Sequence, residues 1–365
     1  MREKIKEAIS RINELSTKKR IKVISHFDTD GITSAAIFSR ALARWEKKFS
    51  LEVVKSLDEE FIKALPEDQV LVFLDLASGS FNYLKNKKTE VFVFDHHEII
   101  QDIPENVYIV NPVLENHEPL SSAAICYLFA KEISANNKDL ANLAVVGMVG
   151  DSHEKEISKA FDEILNDSET SIKKGLMLYP STRPLDKTLE YSSNIYIPGI
   201  TGNRSGVIGL LRDANITSEN GRYKALYELD EDEMRRLTTS VLLKSNDGAW
   251  HENAIGNIFL IKFFNKLEDA RELSALINAC SRMNYPDIGL GFCLGNKNFR
   301  LEAEKIYIEY KQSLVSALKN ISESDKVEGK DYIIINAKDK IKDTIIGTVA
   351  SILSHSPVYK SGMVI

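Results

Sequence analysis

Cysteine and histidine are scarce in this chain, and positive charge is not in excess. Three cysteines in 365 residues, Cys126, Cys280 and Cys293, are too few and too scattered for a disulfide framework or a zinc knuckle. A reducing cytoplasm is the simplest setting. No apolar run approaches the ~20 residues of a membrane span, so no membrane is expected as a partner. Residues 1–15, MREKIKEAISRINEL, lack the continuous apolar segment of a signal peptide and read as an amphipathic charged helix. The net charge is −6 and the isoelectric point about 5.8. Nucleic-acid binders are often basic, so this balance counts against a large non-specific DNA footprint. It leaves room for a local basic groove, and it fits carboxylates gathered around divalent cations. With 43% hydrophobic and 27% charged residues the composition is that of an ordinary globular protein. The length suits two domains or three.

What is present is an alternation of periods. IKVISHF (21–27), QVLVFLDL (69–76), EVFVFDHH (90–97) and NVYIVNP (106–112) are short, nearly continuous apolar runs, as expected of strands buried on both faces. Helical patterns lie between and after them, at 33–49, 121–135 and 138–151. The fold class read from this is α/β, with a mostly parallel sheet in the first domain. From about 152 to 245 the pattern is helical and less regular, with a Gly-, Pro- and Asn-rich loop at 196–206. Alternation then resumes: strands at 256–264, 288–295 and 331–337, helices at 267–283, 300–321 and 344–356. The closing SGMVI reads as the start of a further strand. The expected organisation is therefore a catalytic domain over 1–190, a helical connector over 191–245, and a smaller α/β domain over 246–365 whose C-terminal part is missing.

Four clusters stand where strands or helices end. In SHFDTDGITS (25–34), His26, Asp28 and Asp30 alternate, which in an extended chain points all three to one side, and Gly31 permits a sharp turn into the next helix. The ordinary alternative is an Asp-Gly turn with Asp30 or Thr29 as N-cap. Asp75, in VFLDLAS, ends a buried run, where a carboxylate is costly unless paired or metal-bound. It also suits a loop cap. Asp95-His96-His97 follows VFVF, although only 7 residues of the chain are histidine. Imidazoles beside carboxylates suit Mn²⁺, and less selectively Zn²⁺ or Fe²⁺, with Asp95 orienting an imidazole. A satisfied core or surface histidine is the alternative. Asp151 ends the apolar segment VVGMVGD, as a metal ligand or as a polar helix end. Ligands gather at the carboxyl ends of strands in open parallel sheets. The first three clusters can therefore meet in one crevice, with Asp151 reaching it from the side. So many carboxylates would repel one another without cations. Two divalent ions roughly 3.5–4 Å apart would remove that repulsion and form a phosphoryl-transfer site.

HFDTDG, FLD, FDHHE and GMVGD, in this order, resemble the motifs of the DHH phosphoesterase superfamily. NPVLENHEPLSSAAICYLF (111–129) is similar to the Asn-Pro and Ser-Ser-Ala segment of its RecJ branch. LINACSRMNYPDIGLGFCLGN (276–296) resembles the NACGRM segment of archaeal RecJ-like proteins, among them a nuclease associated with the GINS replication complex. The resemblance implies two Mn²⁺ ions, with Mg²⁺ or Co²⁺ as substitutes. It implies that Asp75 bridges them, that Asp28 with His26 completes one site, and that Asp30, His96 and Asp151 complete the other. His97 would meet the scissile phosphate or the nucleophilic water. Asp75 and Asp95 would share the catalytic work, and Ser121, Ser122 and Arg282 would contact substrate. Ser281 stands where that segment usually has Gly, and the Gly-Gly-Gly-His-like loop of the family's second domain is not reached before Ile365.

The leading expectation is a Mn²⁺-dependent, RecJ-like exonuclease of single-stranded DNA or RNA, acting in DNA replication or repair. Arg204, Arg212 and Lys22 are candidates for the charge of a strand-binding groove. A second reading is a structural replisome component that binds GINS and the replicative helicase. A eukaryotic member of the superfamily serves the helicase in that way and has lost ligands, whereas every ligand position is filled here. A third is a phosphoesterase of short oligonucleotides or cyclic dinucleotides.

Overall fold

The computed structural model describes all residues except 116–117, 154–156, 193–196, 245–253, 323, 325, 330–331, 355–362 and 365. The chain forms two compact units, Met1–Ala275 and Leu276–Ile365.

The first unit opens with α1 (Arg2–Leu15), β1 (Ile21–His26), α2 (Thr29–Arg44), β2 (Phe49–Val54), α3 (Glu59–Ala64), β3 (Val70–Leu74), α4 (Phe81–Leu84), β4 (Val91–Phe94), β5 (Val107–Val110), α5 (Ser122–Ile133) and α6 (Ala141–Gly150). Among the described residues the strands form a five-stranded parallel sheet in the order β2-β1-β3-β4-β5. Its inner strands β3 and β4 are apolar throughout because both faces are covered. On one face Ile24, Phe73, Val93 and Ile109 pack with Ile62, Phe81 and Leu84 from α3 and α4. On the other, Phe94 meets Phe38 of α2 and Phe129 of α5 at ring-centroid distances of 5.3 and 5.1 Å. The register positions the site: Ser25 lies opposite Leu74, and Leu74 opposite Phe94. The residues just past them, His26, Asp75 and Asp95, therefore emerge side by side at the carboxyl edge.

The unit continues through α7 (Lys159–Ser168), β6 (Ser171–Leu176), α8 (Leu185–Glu190), α9 (Arg204–Asp213), α10 (Glu231–Lys244), β7 (Ile255–Phe263) and β8 (Lys266–Asp269). The three strands pair antiparallel, and Leu176, Leu189, Leu210, Leu237 and Ile258 share an apolar cluster. The region read as helical and irregular thus contains a strand. SIKKGL has too many lysines to read as one, because its outer positions face water. A last helix, α11 (Ala270–Arg282), begins in this unit and ends in the next.

The second unit holds α12 (Pro286–Cys293), α13 (Lys297–Ser322), β9 (Lys326–Glu328), β10 (Tyr332–Ile335), α14 (Asp343–Ser354) and β11 (Met363–Val364). The order β11-β10-β9 gives a small mixed sheet. One expectation is corrected here: IGLGFCLG (288–295) is helical, not a strand. Pro286 starts the helix, and Gly291 leaves room for Phe299, whose ring a methyl group there would meet at 2.3 Å. Apolar runs of this length do not by themselves separate a strand from a buried helix.

Candidate metal centre

The first motif does not stay extended, as its alternation predicted. β1 ends at His26, and Asp28 is the N-cap of α2, its carboxylate accepting the Gly31 N–H at 3.0 Å. Asp30 lies in the first helical turn. The cap is therefore Asp28, not Asp30 or Thr29. Gly31 has no left-handed backbone; it is needed because the His26 carbonyl oxygen lies 2.2 Å from where its Cβ would be. His26 and Asp28 still converge, while Asp30 faces the start of α5 and lies 3.8 Å from His96 Nε2. His26 Nδ1 lies 3.1 Å from Asp28 Oδ2 and 3.3 Å from Asp75 Oδ2. Burial would lower its pKa, but the two carboxylates outweigh that and raise it to about 10.

Asp30 is buried at 1% exposure. Its carboxylate accepts the N–H groups of Ser122 (2.7 Å) and Ala123 (2.9 Å) at the start of α5, where a helix end favours negative charge. Burial and the nearby Asp75 and Asp151 nevertheless push its pKa well above the usual carboxylate range. Asp75 follows β3 with a left-handed backbone (φ 59°), a conformation costly for a non-glycine residue and frequent at functional sites. It accepts the Ser122 hydroxyl at 3.2 Å. Burial raises its pKa more than His26 and His96 lower it.

Asp95 turns inward and serves its neighbours. Its carboxylate accepts the N–H groups of Ser78 (3.1 Å) and His96 (2.8 Å) and contacts His97 Nδ1 at 2.7 Å. Burial opposes ionisation, yet these partners hold the pKa at about 2. His96 projects into the carboxylates: its Nε2 lies 3.0 Å from Asp151 Oδ2, 3.4 Å from Asp75 Oδ1 and 3.8 Å from Asp30 Oδ2. Its pKa rises to about 11, the carboxylates outweighing burial. His97 is 57% exposed and reaches outward.

The donor set fits divalent cations. Three groups have ligand atoms within 4.8 Å of one another: His26, Asp28 and Asp75; Asp75, Asp95, His96 and His97; and His96, Asp151 and His153. Asp151 Oδ2 is buried yet accepts no hydrogen bond, so it faces the cluster without a partner of proper geometry.

Other expected residues have different surroundings. Ser121 and Ser122 are fully buried; Ser121 caps α5 through the Ala124 N–H, and Ser122 serves Asp75 and Asp30. Ser121→Ala should cost about 1 kcal/mol of stability, read by chemical denaturation, with metal affinity unchanged. Arg282 belongs to the second unit, where it donates to the Thr344 carbonyl at 3.1 Å. Lys22 pairs with Glu52 and Arg204 with Glu190, while Arg212 is exposed. The sequence reading missed His153, whose only signal was its place two residues after Asp151.

Comparison with known proteins bears on this arrangement. The model of the DHH family N-terminal domain matches residues 20–148, and that of the DHH-CID domain matches 178–257. An uncharacterized protein of Methanocaldococcus jannaschii is 27% identical over 374 residues, 97% of this chain and 82% of the relative. Manganese-bound exonuclease RecJ superposes over 96% of this chain and 77% of its own, with a TM-score of 0.60 and 16% identity. CDC45 from Entamoeba histolytica does so over 99% and 84%, with a TM-score of 0.69 and 14% identity. At such identities the structural likeness speaks for the fold, which is RecJ-like. The two matched domains span more than half the chain, and the motif residues of the first meet at one sheet edge, so the chain belongs to the DHH superfamily.

Proposed function

We propose that this protein is a Mn²⁺-dependent, RecJ-like exonuclease that hydrolyses phosphodiester bonds of single-stranded DNA or RNA, in DNA replication or repair. The observation that carries the reading is the gathering of His26, Asp28, Asp75, His96 and Asp151 in neighbouring close-set groups linked by Asp75 and His96. Metal-dependent phosphoesterase chemistry is the activity of the DHH superfamily, and two-metal hydrolysis needs such a donor set.

Asp75 would serve both halves of the site, since its Oδ2 faces His26 and its Oδ1 faces His96. His26 and Asp28 would hold one, His96 and Asp151 the other, with Asp30 beside them. A bound pair of Mn²⁺, Mg²⁺ or Co²⁺ ions would polarise a phosphoryl oxygen and acidify a water. The chain's own contribution is positional. The Nδ1–H of His97 would donate to the Asp95 carboxylate, which orients the ring, and the protonated ring would then carry an Nε2–H able to donate to a phosphate oxygen or the leaving oxygen. Contact with Asp95 raises the His97 pKa, which favours the donor form. His97→Ala should lower the cleavage rate on the order of 10²-fold with metal affinity retained, as single-turnover rates and calorimetry would show.

The reading is tested by digesting end-labelled single-stranded DNA and RNA with and without Mn²⁺, and after chelation. Mn²⁺-dependent release of mononucleotides is expected. Cleavage of cyclic dinucleotides or short oligonucleotides alone would replace the reading by that of a small-substrate phosphoesterase. No cleavage at all would favour a replisome component that binds GINS and the replicative helicase. Among the described residues no helix is long and apolar enough to cross a membrane. A cytoplasmic location is part of the proposal.

A further inference from the structure

We infer that His153 is an additional protein ligand in the half-site built by His96 and Asp151, giving that half-site two imidazoles and the Asp151 carboxylate beside the shared Asp75. The inference rests on the metal-dependent reading above. The ligand set implied by the family resemblance does not contain His153.

Geometry places it there. One ring nitrogen of His96, one of His153 and a carboxylate oxygen of Asp151 lie within 4.8 Å of one another. The two rings are 6.0 Å apart at 63°, so neither covers the other's nitrogens. Ser152 takes the left-handed conformation (φ 60°) directly after α6, which turns the chain back at His153. His153 is half-buried, and the buried Asp151 Oδ2 beside it accepts no hydrogen bond. Asp30, the ligand expected in this place, accepts one N–H on each oxygen, from Ser122 and Ala123, and belongs to none of the three close-set groups. His153 brings a second imidazole nitrogen to His96 and Asp151.

The chemical consequence is an asymmetry. His26, Asp28 and Asp75 offer one imidazole and two carboxylates, an oxygen-rich set compatible with Mg²⁺. His96, His153 and Asp151 offer two nitrogens, which favour Mn²⁺, Co²⁺ or Zn²⁺ over Mg²⁺. One ion should be held tightly and resist exchange by Mg²⁺, while the other exchanges.

The test uses the full chain without substrate, titrated with Co²⁺ by visible absorption and with Mn²⁺ by calorimetry, in the presence and absence of excess Mg²⁺. Wild-type protein should bind two ions in separable steps, the tighter one insensitive to Mg²⁺. His153→Ala should weaken one step by about 10–100-fold, change the Co²⁺ spectrum of that ion and leave the other step intact. His153→Asp should restore the affinity of that step but lose its preference over Mg²⁺. Identical titrations for wild type and His153→Ala would overturn the inference while the metal-dependent reading stands. A wild type that binds neither ion would overturn both. Equal loss in the Ala and Asp variants, with a lowered metal-free melting temperature, would make His153 structural and also overturn it.

Discussion

Asp75→Asn should reduce Mn²⁺-dependent cleavage by about 10³-fold or more and leave the metal-free protein at least as stable as the wild type. Both halves follow from one geometry. The Asp75 side chain is 1% exposed, with Oδ2 3.3 Å from His26 Nδ1 and Oδ1 3.4 Å from His96 Nε2. An asparagine fills the same volume and can still accept the Ser122 hydroxyl, but it replaces one anionic oxygen by an amide NH₂ that cannot ligate a cation. Metal ions contribute several kcal/mol of transition-state stabilisation, and at 1.36 kcal/mol per decade about 5 kcal/mol lies between 10³ and 10⁴ in rate. Stability moves the other way. Burial disfavours the ionised Asp75, so a neutral amide relieves an unfavourable charge in the metal-free state. Mn²⁺ at about 100 times its dissociation constant should stabilise the wild type by about 2.7 kcal/mol, and this gain should vanish in the variant. Single-turnover digestion and thermal melts with and without Mn²⁺ read both effects. Near wild-type cleavage, or an undiminished Mn²⁺ shift, would remove Asp75 from the centre of the site.

The parallel sheet is legible in the sequence because its inner strands are covered on both faces. VLVFL and VFVF have no polar interruption, so period and length agree. β2 escapes notice for the opposite reason. FSLEVV is an edge strand of mostly half-exposed residues, and its Glu52 is there to pair with Lys22. The candidate cluster is legible from the acids and imidazoles at strand ends, since strand register brings those ends together. The groups that hold the ligands are not. The N–H groups that bind Asp30 come from 92 and 93 residues away, and no local pattern announces that α5 aims its first turn at a carboxylate. The serine pair is visible in the sequence, but its burial is not, so its contacts with Asp75 and with its own helix emerge only from the packing of α5 against α2.

Gly31→Ala should be the most damaging single-methyl change near the site, because the glycine cannot move. Its N–H is held by Asp28 Oδ1 at 3.0 Å and its carbonyl accepts the buried Ser25 hydroxyl at 2.7 Å. A methyl group there would lie 2.2 Å from the His26 carbonyl oxygen, 2.6 Å from its carbonyl carbon and 2.7 Å from its Cβ. Two of these are backbone atoms of a strand paired on both sides, so no side chain can swing away to relieve the contact. Overpacking typically costs 1–3 kcal/mol, and a contact with paired backbone belongs at the upper end, about 3 kcal/mol, or a drop of several degrees in melting temperature. The displaced group is His26 itself, so whatever variant folds should also bind metal more weakly. Gly79→Ala is the control: it lies on the loop after β3, has open space where the methyl would go and no left-handed backbone, and should change stability by less than about 0.5 kcal/mol. Thermal melts and Mn²⁺ calorimetry of the two variants separate a steric requirement at the strand tip from a general preference for flexible loops. If Gly31→Ala melted and bound Mn²⁺ like the wild type, the tip of β1 would have to be softer than its hydrogen bonds allow, and His26 would lose its place as a fixed ligand in the proposed metal site.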